Sequence, residues 1–143
     1  MATPVLIDSG PLVATLNKTD QWHGWAVEEI KLIEPPFLTC DAVISEALFL
    51  LRKTRGDAVQ GLLHLLQSGV LDLSFSLDRE RAPVARLLGK YADVPMALAD
   101  ACLTRMVELH PGARVFTTDG DFRIYRTTGR TVIPMIAPPV ARS

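Results

Sequence analysis

Cysteine is scarce in this chain: two in 143 residues, Cys40 and Cys102, far apart and each in apolar surroundings. They form no CxxC clip, which excludes a disulfide-dense scaffold and argues against a zinc centre. Two buried free thiols in a reducing compartment is the reading. An excess of charge of one sign is also missing. Fifteen Lys and Arg face sixteen Asp and Glu, for a formal net charge of −1. No global positive field advertises nucleic-acid binding, so any such contact must use a local basic patch. No apolar run approaches the roughly 20 residues that cross a bilayer, so no membrane association is expected. The opening stretch MATPVLIDSG has no basic leader and reaches an acid at position 8, so a secretory signal is not expected either. These absences together point to a cytoplasmic protein.

What is present is a core. Hydrophobic residues make up 48% of the chain, which fits one compact domain and argues against disorder. There is no internal repeat, long linker or low-complexity segment. We expect a single domain over residues 1–137 and a loose C-terminal tail over 138–143, from the stretch following Ile136. Short apolar runs alternate with helical patterns. Strands are expected at 5–8, 37–40, 70–75, 113–118 and 131–136. Helices are expected at 10–17, 21–33, 41–55, 57–68, 78–91 and 95–110, with a helical turn in DFRIY. Asp41 and Asp57 stand where N-caps belong, Asp93 precedes the last long helix as a further capping candidate, and Gly56 and Gly69 stand where helices stop. Strands alternating with helices predict an α/β fold, a three-layer α/β/α sandwich around a mostly parallel sheet.

The acids fall at telling places. Asp8 ends the first strand and Asp119 follows the strand ARVFTT. In open α/β sheets, ligands bind outside the carboxyl ends of the strands. Glu46, in DAVISEALFLLRK, lies just off an apolar stripe of Val43, Ala47, Leu48, Leu50 and Leu51, with its stem packed and its carboxylate towards a cleft. Asp100, in PMALADACLTRMV, shares a helical sector with Met96, Leu103 and Val107, and no Lys or Arg three or four residues away can neutralise it. An unpaired buried carboxylate costs several kcal/mol, and converging carboxylates raise one another's pKa. A divalent cation relieves both. Oxygen-only ligands without His or Cys suit a hard ion, Mg²⁺ or Mn²⁺, whose natural chemistry is phosphodiester hydrolysis.

Four segments in order, VLIDSGPLVATL, ISEALFLL, YADVPMALADACL and VFTTDGDFRIYR, resemble a PIN domain, most of all the small single-domain type of the VapC toxin group. The resemblance runs from Val5 to about Ile136. It implies a PIN-like fold and a metal-dependent ribonuclease, with the family's acids falling on Asp8, Glu46, Asp100 and Asp119. Asp121 is the second aspartate of the TTDGDF motif and a further candidate ligand. Asp119 ranks above it because the strand end aims it at the other three. Ser9 and Thr117, the hydroxyl residues beside the acids, are supporting candidates that ordinary turn and strand roles explain equally well. The resemblance further implies an RNA substrate, a cognate antitoxin protein and a homodimer. Two alternatives stay open: a catalytically silent PIN-like binding module, and a PIN nuclease that processes RNA without an antitoxin. Phosphoryl transfer through an aspartyl phosphate ranks lower, since Gly10 stands where such enzymes want a second Asp.

The remaining candidates have plainer readings. Arg52, Lys53 and Arg55 end the Glu46 helix, and Arg123, Arg126 and Arg130 follow TTDGDF. Solvated faces explain most of them, but if the acids meet, the two clusters could flank a groove and hold an RNA backbone. Arg105 is placed to reach an acid. His23, His64 and His110 do not cluster, and none is assigned to catalysis. Trp22 and Trp25 are one helical turn apart and read as a packing face.

Overall fold

The computed structural model describes residues 3–139. The expected architecture is present: a five-stranded sheet with helices on both faces, the three-layer α/β/α arrangement. In chain order the elements are β1 (Val5–Ile7), α1 (Ser9–Leu16), α2 (His23–Lys31), β2 (Phe37–Leu38), α3 (Asp41–Leu51), α4 (Ala58–Ser68), β3 (Leu71–Asp72), α5 (Arg81–Lys90), α6 (Leu98–Leu109), β4 (Arg114–Phe116), a 3₁₀ turn (Gly120–Arg123) and β5 (Met135–Ile136). The sheet order is β3-β2-β1-β4-β5, and all its ladder pairings are parallel. The single antiparallel contact among the described residues is a bridge between Arg126 and Val132.

This order decides where a site can form. The chain builds outward from β1 through β2 to β3, then returns to lay β4 on the other side of β1. The direction of winding therefore reverses between β1 and β4, where the loops beyond the strand ends diverge and leave a crevice. Leu6, Ile7, Val115 and Phe116 are fully buried in the two central strands, with Ile7 in register with Phe116. Trp25 covers the sheet edge-on, 5.3 Å from the Phe116 ring, and Trp22 stacks edge-on against Trp25. The two tryptophans are thus a packing face. Pro138 is buried, and residues 140–143 of the expected tail lie outside the described residues.

The elements are shorter than their sequence patterns, for local reasons. The strand expected over 70–75 stops at Asp72, whose carboxylate accepts from the Ser74 N–H at 2.8 Å and turns the chain. The helix expected to 55 ends at Leu51, where the Thr54 hydroxyl donates to the Leu51 carbonyl at 2.7 Å and Gly56 takes φ +95°. Leu50, placed on the apolar stripe, is 38% exposed, and the neighbouring Phe49 is more exposed still. The capping assignments shift as well. Cys40, not Asp41, is the N-cap of α3, and Asp41 sits in the first turn, where its charge still suits the helix dipole. Asp57 occupies the N-cap position of α4 without a side-chain cap bond. Asp93 is exposed and caps nothing in α6, whose N-cap is Ala97.

Candidate active site at the β1–β4 crevice

Asp8 is the residue after β1, and its environment follows from that position. Its own N–H donates to the Phe116 carbonyl at 3.0 Å, extending the ladder by one step. Its side chain then caps α1: one carboxylate oxygen accepts from the Ser9 N–H at 2.7 Å. The other accepts from the Thr117 hydroxyl, also at 2.7 Å, across from β4. Capping and membership of an acid group are therefore one arrangement rather than alternatives. The start of α1 presses against the loop after β4 so closely that a Cβ on Gly10 would lie 2.1 Å from the Thr118 hydroxyl oxygen. Glycine at this place lets the two loops share the crevice.

The helices bring two further acids. On α3, Glu46 is half-buried and accepts a hydrogen bond from the Ser9 hydroxyl. Asp100 is not in mid-helix, as the sequence pattern suggests, because α6 begins at Leu98. Ala97 stays extended, with its N–H 3.4 Å from the Asp100 carboxylate, so Asp100 lies in the first turn and Met96 lies off the helix. The positive end of the dipole favours an acid there. Beyond β4, the Asp119 N–H donates to the Thr117 hydroxyl oxygen at 2.9 Å, and the Asp119 carboxylate accepts from the Asp121 N–H at 2.9 Å to start the 3₁₀ turn.

These acids feel one another. Asp8 is 4% exposed, and its pKa is pushed from 3.8 up to about 6, first by burial and then by the charges of Glu46 and Asp119, against the pull of its bonds from Thr117 and Ser9. Asp100, 7% exposed, is pushed to about 6 by burial, by Asp8 and by Asp119, against its bonds from Tyr125 and Ala97. The charge of Asp121 acts on Tyr125 instead. The ion pairs among the described residues are Lys31–Glu28, Arg81–Asp78, Arg105–Glu80 and Arg105–Glu108. None of them involves the four acids. Arg105 does reach acids, but they are Glu80 and Glu108, away from the crevice.

The four acids are electrostatic neighbours rather than a closed ligand set: among the described residues no three His, Cys, Asp or Glu side chains form a ready-made metal group. The donor chemistry nonetheless fits a hard divalent cation. All the donors are carboxylate oxygens, two are held buried with raised pKa, and hydroxyls orient them without contributing positive charge.

One residue of the site escaped sequence reasoning. Tyr125 is fully buried and its hydroxyl donates to the Asp100 carboxylate at 3.0 Å. Burial and the Asp100 charge raise its own pKa, so it stays a donor. The sequence offered a signal, since a buried Tyr needs a partner for its hydroxyl and an unpaired Asp needs a donor. A search for Lys or Arg on the same helix could not find it. Tyr125 is held edge-on between Tyr91 and Phe122, with ring centroids 5.2 and 5.3 Å away.

The basic residues divide. Arg52, Lys53 and Arg55 are exposed beyond α3, with the Lys53 ammonium 4.1 Å from the centre of the Phe49 ring. Arg123 is exposed and lines a small cleft with Asp119. In Arg126, one guanidinium nitrogen donates to the carbonyls of Arg123, Ile124 and Tyr125, so this side chain braces its own turn. The His23 Nδ1–H donates to the Ala14 carbonyl at 2.7 Å, as a link between α2 and α1. His64 is exposed.

Next to the acids lies a cavity of about 660 Å³ between the starts of α3 and α6, lined by Cys40, Glu46, Phe49, Phe75, Leu98 and Cys102. Of the four acids, Glu46 is the one that lines it.

The five-stranded parallel sheet in this order, with helices around it, is an α/β fold that is also found in a solved structure. Among solved structures, the chain is similar to the Mycobacterium tuberculosis toxin VapC20, described as cleaving the sarcin-ricin loop, at 20% identity and a TM-score of 0.72, over 82% of this chain and 91% of that one. By sequence, no family model and no curated protein matches the chain.

Proposed function

We propose that this chain is an endoribonuclease that depends on Mg²⁺ or Mn²⁺ and hydrolyses RNA phosphodiester bonds through Asp8, Glu46, Asp100 and Asp119. The observation that carries this reading is the charge pattern at the crevice. Burial first, and then the charges of neighbouring acids, raise the pKa of Asp8 and Asp100 to about 6, and no Lys or Arg among the described residues is ion-paired with them. The similarity to a toxin that cleaves an RNA loop supports the same substrate class.

Asp8, Asp100 and Asp119 would hold the ion directly or through water. When bound, the ion supplies charge for the scissile phosphate and the leaving oxygen and eases deprotonation of water. Ser9 fixes Glu46 so that its free oxygen can orient the attacking water. Thr117 holds Asp8 and, through the Asp119 N–H, sets the start of the loop that carries Asp119. Tyr125 fixes the rotamer of Asp100 from inside the core. Arg123, close to Asp119, and the exposed Arg52, Lys53 and Arg55 are the candidates for contacts to the RNA backbone. Arg126 is a weaker candidate, because a nitrogen of its guanidinium is already committed to carbonyls. Asp121 plays its part through its backbone, by starting the 3₁₀ turn.

The same reading makes the chain the toxin of a VapBC-type pair, working in the cytoplasm on RNA as a homodimer and restrained by an antitoxin. No helix among the described residues is long and apolar enough to cross a membrane. The test is substitution. Asp8→Asn and Asp100→Asn should each lower RNA cleavage by on the order of 10³-fold while the circular dichroism spectrum is kept. Cleavage that persists undiminished in either variant refutes the assignment.

A further inference from the structure

The chain has two cysteines, and the fold places both in the wall of the cavity beside the acids. Cys40 is the N-cap of α3, five residues' travel along the chain from Ser45 and next to the helix that carries Glu46. Cys102 lies on α6, one half-turn beyond Asp100. Each is 2% exposed, yet each borders a cavity of about 660 Å³ that is open to solvent, so a molecule of water's size can reach them. Both thiols stand in the wall of one cavity, where α3 packs against α6, and each acts on the ionisation of the other. Two free thiols on one cavity wall, one capping α3 and one on α6, have no place in the hydrolytic chemistry above.

We propose that Cys40 and Cys102 are an oxidisable dithiol, and that a hydroperoxide converts them to a disulfide tying the start of α3 to α6. The chemistry balances in two steps. One sulfur attacks the peroxide O–O bond, becoming a sulfenic acid and releasing water. The second thiol then displaces that hydroxyl as a second water, forming the S–S bond. The two thiols lose two electrons and two protons, and the hydroperoxide is the oxidant. A disulfide holds its two sulfurs about 2.05 Å apart, well inside the separation of unbonded thiols. Forming the bond draws α3 and α6 together, which displaces Glu46 relative to Asp100 and narrows the cavity between them. A shift near 1 Å at a catalytic group lowers a rate by on the order of 10²-fold.

The disulfide itself is independent of the ribonuclease reading; its effect on cleavage rests on that reading. The full chain is treated with hydrogen peroxide and compared with the reduced protein by intact mass, non-reducing peptide mapping and thermal melting. The expected result is a chain lighter by two hydrogens, one Cys40–Cys102 linked peptide and a raised melting temperature. RNA cleavage should fall by tenfold or more, on the order expected for such a displacement, and return with dithiothreitol. Cys40→Ser and Cys102→Ala should each form no linked peptide and show no rise in melting temperature, and the variant that keeps the attacking sulfur should gain oxygen instead of losing hydrogen; two separate variants guard against one that folds poorly. In the parent, oxygen addition without a linked peptide, or no change in mass, overturns the proposal. So does a linked chain that cleaves as fast as the reduced one. If the reduced chain cleaves no RNA, the ribonuclease reading fails, and the dithiol is decided by mass and melting alone.

Discussion

Replacing Asp100 with Asn should stabilise the metal-free protein, and the gain should depend on pH. Asp100 is pushed from 3.8 to about 6 in the folded chain, so folding favours its protonated form. The folded state then binds more protons than the unfolded state between these values, and stability falls as pH rises through the window. The loss begins above about pH 4 and is complete above about pH 6. At roughly 1.4 kcal/mol per pH unit, the gap corresponds to about 3 kcal/mol for this group. Asp8 carries a rise of the same size, but the two acids act on each other, so the values do not add. Asp72 and Glu108 have lowered pKa values and work in the opposite sense, adding stability as pH rises through the ordinary carboxylate range. Comparing Asp100→Asn with the parent at each pH removes their contribution.

The amide can still accept from Tyr125, so the variant should lose little packing. In urea titrations with EDTA, we expect it to exceed the parent by about 1–3 kcal/mol near pH 7.5 and to match it near pH 4.5. Added Mn²⁺ should stabilise the parent far more than the variant. A variant less stable than the parent at every pH would refute the reasoning, because Asp100 would then be a structural partner of Tyr125 rather than a repelled charge.

Further expectations concern the groups that hold the acids. Tyr125→Phe removes a donor to ionised Asp100, so the acid limb of the pH–rate profile should move to higher pH, with a loss of about 1 kcal/mol in stability. Thr117→Val should move the same limb the same way through Asp8, as a pH titration of cleavage would reveal. Arg123→Ala should weaken RNA binding and flatten its salt dependence, whereas Arg126→Ala should lower the melting temperature by loosening the 121–126 turn; the reverse pattern would mean that the two arginines have exchanged roles.

Much of this was legible in the sequence because its signals are local. Buried strands announced themselves at VLID and ARVFTT, and the acids at their ends fell at the functional edge of any parallel sheet. Asp8 and Asp119 follow from that rule alone. Glu46 needed the order of motifs as well, since a glutamate on a helix flank is ordinary. What stayed hidden depends on contacts between distant segments. Tyr125 meets Asp100 only after β4 has been laid beside β1 and the 3₁₀ turn has closed. The start of α6 was misplaced because MALADACL reads as continuous helix, while the Asp100 carboxylate turns back towards the Ala97 N–H and holds that residue extended. That Cys40 and Cys102 share one cavity wall is likewise a property of the α3–α6 packing, invisible in their spacing.

The most direct measurement is cleavage of a structured RNA by the purified chain with Mn²⁺, with EDTA, and with Mn²⁺ restored, beside Asp8→Asn under the same conditions. The account predicts internal cuts that EDTA abolishes and Mn²⁺ recovers in the parent, and none above background in the variant. Cleavage that survives EDTA, or an Asp8→Asn chain that cuts as the parent does, would contradict it.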